Sequence, residues 1–228
     1  MKTNFACGRT CAFQQLCRFS PIFAYLGRTR VISHVTKVDI EIRDLSALRT
    51  AGELCGLSLE MGQSTYRWFG QHVGDYPMPA GMKQSDLGKC THALSVTGDT
   101  TAYEIGVVRQ PNGTFRLVWD FWQGGYGLQD KVGLDCKVLI GHYTILAARN
   151  AAKLQGWQTM LQQNGNLLIL HPDGGTMTVK QDGTVDANGF IGKGCTAANI
   201  IEKALGKAKQ TTYKAEYYEE KIRLQESE

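Results

Sequence analysis

Regular alternation of apolar and polar side chains starts at Thr36. Lys37, Asp39 and Glu41 face one way and Val38, Ile40 and Ile42 the other, which predicts a half-buried strand over 36–42. Asp44 follows with the chemistry of a helix N-cap. Leu45, Leu48, Ala51 and Cys55 then recur on one helical face, and Gly56 is a natural stop. Residues 57–60 return to an extended pattern.

Both periods fail over 62–92. That stretch holds Gly62, Gly70, Gly74, Gly81 and Gly88, the prolines 77 and 79, and the aromatics Tyr66, Trp68, Phe69 and Tyr76. A loop this long inside a compact domain is uncommon and often binds or caps something. Its aromatic content predicts that it packs onto the rest of the protein.

Strands are predicted at 93–96, 102–109 and 115–122. Asn112-Gly113 joins the last two, since both residues tolerate the positive φ of a tight hairpin. Gly124, Gly125 and Gly127 reopen the chain. A long helix is predicted over 134–155, with Leu139, Tyr143, Leu146, Ala147 and Leu154 as its buried stripe and Gly156 as its end. Asn150 is the polar exception on that stripe. A hairpin around Asn164-Gly165 pairs 157–161 with 166–171.

Pro172-Asp173-Gly174-Gly175 marks a module boundary. Beyond it come strands at 176–181 and 184–190 about Asp182-Gly183, and a helix over 196–205 with Ile200, Ile201, Ala204 and Leu205 inward. Gly206 ends that helix, and a last strand covers 210–217. The predicted fold class is α+β. A first module, 32–172, reads β-α-β-β-β-α-β, an antiparallel sheet with helices on one face. A second, 173–228, reads β-β-α-β and is short enough to need a core shared with the first.

Charge changes the picture at the N-terminus. Five of the 25 basic residues and none of the 21 acidic ones fall in 1–31, which leaves 20 against 21 in the body. The body therefore lacks the basic excess of a nucleic-acid-binding domain. Residues 1–31 form a basic extension: a transit peptide directing the chain to a plastid, a disordered arm, or upstream sequence read from an early start codon. Arg9 and Arg18 interrupt any secretory apolar core. No apolar run approaches the ~20 residues of a membrane span. The four body cysteines, Cys55, Cys90, Cys136 and Cys195, lie 35 to 59 residues apart with no Cys-x-x-Cys pair. This pattern points to a reduced, cytoplasmic protein without a zinc ribbon.

Two resemblances follow from particular residues. Ile32-Ser33-His34-Val35, Ile42-Arg43-Asp44-Leu45, Tyr103-Glu104-Ile105-Gly106-Val107 and Trp119-Asp120-Phe121-Trp122 resemble the hypothetical chloroplast reading frame thirty-five family, a domain of unknown function in plastids, bacteria and phages. That family begins Met-Ser-His-Phe, so the resemblance places the start near Ile32. The 62–92 insert resembles its phage and bacterial branch. Asp182-Gly183-Thr184-Val185, Gly189-Phe190, Cys195 and Ala204-Leu205-Gly206 resemble a short uncharacterised bacterial domain often encoded beside the first. Neither resemblance brings a catalytic residue. Together they imply an association with an ATPase of the AAA class.

Three constellations could carry chemistry. Gly192-Lys193-Gly194-Cys195-Thr196, ahead of a helix, could hold an anion, but Ala187 and Gly194 stand where a phosphate-binding loop needs glycine and a hydroxyl. Its alternative role is a strand-to-helix turn. Cys90 and His92, on an extended segment, would point to one side as a thiol–imidazole pair, or serve structurally. Asp120 and Trp122 would share one strand face, opposite Trp119 and Phe121, as a ligand contact or a turn anchor. No metal site and no cofactor is expected. The leading expectation is an accessory protein that acts through a protein partner. The alternatives are a small-ligand or anion-binding enzyme built on the cysteines, His92 and Asp120, and a nucleic-acid binder using Lys193, Lys203, Lys207, Lys209 and Lys214.

Overall fold

A computed structural model describes residues 29–71, 82–172, 174–191 and 195–218. The expectations for 1–28, for Tyr76 and the prolines 77 and 79, and for Gly192, Lys193 and Gly194 lie outside the described residues. The fold is α+β, with two antiparallel sheets and helices. One sheet has four strands in chain order: β2 (Leu57–Met61), β3 (His92–Val96), β4 (Ile105–Arg109) and β5 (Phe115–Val118). The other has six strands: β1 (Thr29–Ile40), β6 (Gln158–Leu161), β7 (Leu167–Leu170), β8 (Thr176–Val179), β9 (Thr184–Ile191) and β10 (Gly206–Tyr218). Its order is β10-β1-β9-β8-β7-β6, so β1 lies between the two longest strands that follow residue 175.

The strand expected at 36–42 resolves into two parts. β1 starts earlier, at Thr29, and leaves the six-stranded sheet at Ile40. The Glu41 N–H donates to the Leu205 carbonyl at 2.8 Å, and Ile42 then bridges to Phe115 of the other sheet. The apolar-polar period continues through this crossing because both flanking residues are extended, so the switch of sheet leaves no mark in the pattern. Strands expected at 102–109 and 115–122 are shorter for a local reason. Asp99 Oδ1 accepts the N–H groups of Thr101 and Ala102, and Asp120 Oδ1 accepts that of Trp122, so each carboxylate fixes a turn.

The helices are α1 (Leu45–Leu54), α2 (Leu128–Val132), α3 (Lys137–Leu154) and α4 (Cys195–Leu205). Asp44 caps α1 by accepting the N–H groups of Ser46 and Ala47 at 2.9 and 3.0 Å. Its other oxygen accepts from Asn150 Nδ2 at 2.8 Å. The polar exception on the α3 stripe is thus a second support for the α1 cap. Tyr143, fully buried on α3, accepts the Arg43 N–H and donates to the Glu41 carbonyl. Two side chains of α3 therefore pin the segment where the chain passes between sheets. Burial pushes the Asp44 carboxyl up, but the hydrogen bonds from Asn150, Ser46 and Ala47 outweigh it and hold the group below its ordinary value.

One buried apolar cluster joins all of this. It takes Leu57, Leu94 and Ile105 from the four-stranded sheet, Ile169 and Met177 from the six-stranded one, and Leu139 and Ile201 from α3 and α4. The expected boundary at 172–175 is the turn between β7 and β8, where the His171 N–H donates to the Gly175 carbonyl at 2.9 Å. The two strands pair across it. No helix among the described residues is long and apolar enough to cross a membrane.

Candidate functional site

The outer face of the four-stranded sheet is covered by the irregular segment after β2. Tyr66 lies flat on Gly106 of β4, where any Cβ would run into the phenol ring. Trp68 sits against Gly88 in the same way, with Nε1 2.6 Å from the position of a Cβ. Tyr66, Ala93 and Val118 form a small second core there, with Trp68, Met82, Cys90 and Val108 around it. The predicted packing of the insert aromatics holds for Tyr66 and Trp68.

Glu104 anchors this cover. It is only 3% exposed. Arg67 Nη2 lies 2.9 Å from its Oε1, while the Arg67 N–H and Gln63 Nε2 donate to Oε2 at 2.8 and 3.0 Å. Three donors from the segment thus converge on one carboxylate projecting from the chain just before β4. A charge taken out of water needs such company.

Beyond Trp68 the segment reaches the surface and meets a second loop. Asp120 joins the two, accepting the Phe69 N–H on Oδ2 at 3.1 Å and the Trp122 N–H on Oδ1 at 2.8 Å. The Phe69 and Trp122 rings lie 4.7 Å apart, and Tyr126 meets Trp122 at 6.3 Å and the buried Tyr103 at 5.2 Å. Phe69, Trp122 and Tyr126 remain 40%, 42% and 46% exposed, so three large rings share one outward patch.

The backbone behind that patch is strained. Gln123, Gly124, Gly125, Tyr126 and Gly127 all have positive φ, from 50° to 94°. Glycine takes this conformation freely; each L-residue there costs about 1–2 kcal/mol. Gln123 and Tyr126 bear that cost, and the result is that Tyr126 is held outward beside Trp122.

The sequence singled out Asp120 and Trp122, and the structure sets them opposite Trp119 and Phe121, which pack on the main core. Asp120 serves as the anchor of two loops. Cys90 and His92 are not brought together by a hydrogen bond. Cys90 precedes β3, lies under the cover, and donates its thiol to the Gln63 carbonyl. His92, inside β3, accepts the Gly62 N–H on Nδ1 at 3.0 Å and rests against Phe115 of the main core. Alternation expected on one extended segment does not apply because the strand begins only at His92. Burial and then the neighbouring Glu104 push the Cys90 thiol up to about 11, which keeps it protonated and poorly nucleophilic at neutral pH. Cys195 opens α4, on the other sheet.

A cleft elsewhere in the molecule is lined by none of Asp120, Trp122, Cys90 and His92. That cleft, about 570 Å³, lies at the seam between the sheets, with Ile42, Phe115 and Trp119 on its apolar side and Glu41 and Lys207 on its polar side. Lys207, one of the five lysines of the expected basic patch, has its Nζ 3.8 Å from Glu41 Oε1. Among the described residues no group of three or more histidine, cysteine, aspartate or glutamate side chains could hold a metal. Glu104, Arg67 and Tyr126 were not singled out in the sequence. The available signal was the Gly124-Gly125-x-Gly127 spacing, which marks a turn but not the ring that it presents.

Residues 176–218 match the model of a family described as a protein of unknown function, DUF2997. The match runs from the first residue of β8 to the last of β10. No curated protein and no solved structure matches the chain.

Proposed function

We propose that this chain is a cytoplasmic accessory protein that works by binding a partner protein through Phe69, Trp122 and Tyr126. The observation that carries the reading is the aromatic patch held outward by a left-handed turn. Aromatic residues that are rigid, partly exposed and clustered are what protein interfaces use as anchors. The protonated state of Cys90 and the separate settings of Cys90 and His92 weigh against the alternative of a thiol–imidazole enzyme.

The same reading divides the chain near 173. Residues 32–172 would be the region resembling the hypothetical chloroplast reading frame thirty-five family, in the branch found in phages and bacteria. Support for the division is that the DUF2997 match begins at residue 176. An ATPase of the AAA class is the partner that the resemblance suggests, and that resemblance is its support.

The test compares full-length protein with the double variant Phe69→Ala/Trp122→Ala as bait in cells of the source organism. A protein captured by the parent and lost by the variant, at an unchanged melting temperature, supports the reading. Equal capture by both, or none by either, overturns it. The ATPase assignment fails if the captured protein does not hydrolyse ATP.

A further inference from the structure

The geometry points to β6 as a homodimerisation edge, pairing antiparallel with β6 of a second copy of this chain around a two-fold axis at Met160. This inference is independent of the aromatic patch.

Among the described residues the two sheets have four edge strands. Three carry charge: Glu60 on β2, Arg116 on β5, and Lys207, Lys209, Lys214 and Glu216 on β10. Charged residues on an edge deter unwanted strand addition. β6 has none, and no Asp, Glu, Lys or Arg occurs between Lys153 and Asp173. Nor does β6 have a proline or a register shift against β7. It also carries exposed apolar side chains: Leu161 at 64% and Met160 at 56%.

Hydrogen-bond directions fix what fits there. The Gln162 N–H donates to the Asn166 carbonyl at 2.8 Å, so Gln162 faces β7. Alternation then turns Met160 and Gln158 toward β7 and leaves the N–H and C=O groups of Thr159 and Leu161 facing outward. Two outward residues separated by one are complementary to themselves. With Met160 opposite Met160 of the second copy, each Thr159 meets a Leu161, and the two pairs exchange four backbone hydrogen bonds. A register centred on Thr159 is poorer, because it would call on the Trp157 N–H, which already donates to the Ala152 carbonyl at 3.0 Å.

The self-complementary register and the lack of charge on this edge fit a second copy as occupant. A two-fold axis sets each side chain near its own twin, so any charged residue at its centre would face a like charge. In this register Gln158 stands opposite Gln162, Thr159 opposite Leu161, and Met160 opposite itself, with Leu168 beside it on β7. Every pair is uncharged, and Met160 and Leu168 of both copies form one apolar stripe.

Light scattering and sedimentation of the full chain over a concentration series test the proposal. The parent is expected to show a concentration-dependent dimer, and Met160→Lys to weaken it at least tenfold with no change in melting temperature measured on dilute samples. Met160→Cys provides a second measurement. The two copies of residue 160 form a non-hydrogen-bonded pair with Cα atoms about 4.5 Å apart, within disulfide reach. Oxidation with copper phenanthroline should therefore cross-link Met160→Cys beyond the parent background, and Gln158→Cys should not exceed that background. A parent that stays monomeric at its highest soluble concentration overturns the proposal. So does a dimer indifferent to Met160→Lys, or stronger cross-linking through position 158 than through 160.

Discussion

The two sheets bury their faces in different ways. The four-stranded sheet is a meander in chain order, with helices on one face and a loop on the other. Its middle strands are apolar on both sides: Leu94 and Ile105 inside, Ala93 and Val108 outside. The six-stranded sheet takes β1 from far away in sequence, and among the described residues it is covered on one face only. Met177, Val179, Val185 and Ala187 point inward, while Thr176, Thr178 and Asp186 between them are partly exposed. The difference shows what each sheet needs. One depends on glycines flat enough to take aromatic rings. The other depends on strands that meet only after the whole chain is present.

The largest break in that comparison is a cut between Asp173 and Gly174. It leaves β1 in one piece and its two neighbours, β9 and β10, in the other. Neither piece should give a cooperative melt alone, and mixing or co-expression should restore a one-to-one complex with the parent circular dichroism. Independent folding of 174–228 would break the idea of a shared sheet.

Glu104→Ala comes next, at about 3 kcal/mol in urea melts, because it leaves Arg67 and Gln63 with donors that lose their buried acceptor. Gly106→Ala should cost about 2 kcal/mol by forcing Tyr66 off the sheet. The matching change on the bare face, Thr178→Val, should stay within about 0.5 kcal/mol. Equal costs for these two would erase the distinction between covered and bare faces.

At the seam between the sheets, Asp44→Ala should cost about 1 kcal/mol at neutral pH. Because the folded carboxyl lies below its ordinary 3.8, its contribution is present above that value and lost as pH falls through the lowered one. The stability gap between parent and Asp44→Asn should therefore be wider at neutral pH than in strong acid. The smallest effect is chemical. Cys90 should react slowly with thiol reagents near neutrality and faster as pH approaches about 11. Rapid labelling at pH 7 would mean that the cover opens.

Local rules account for what was legible. The Asp44 cap, the Gly156 stop and the Asn112-Gly113 and Asn164-Gly165 turns all depend on neighbouring residues, and the elements that they bound formed within a few positions of expectation. α2 was missed because its five residues sit between Gly127 and Gly133 and carry no full helical period. The place of β1 between β9 and β10 depends on pairings such as Thr29 with Tyr218, and no window of sequence contains both. At the site, Asp120 and Trp122 were named on the expectation of a strand through 122, whereas β5 ends at Val118 and Asp120 instead caps the turn at Trp122. Tyr126 was not named, since its left-handed backbone contradicts its own preference.

The position of β1 also bears on how the chain is made. A ribosome releases this strand early, while both of its future neighbours are still untranslated. Until β9 and then β10 emerge, its two rows of N–H and C=O groups have no native partner, and such rows are templates for wrong pairing. Expression of this protein should therefore depend on holdase chaperones during synthesis more than its native stability would suggest.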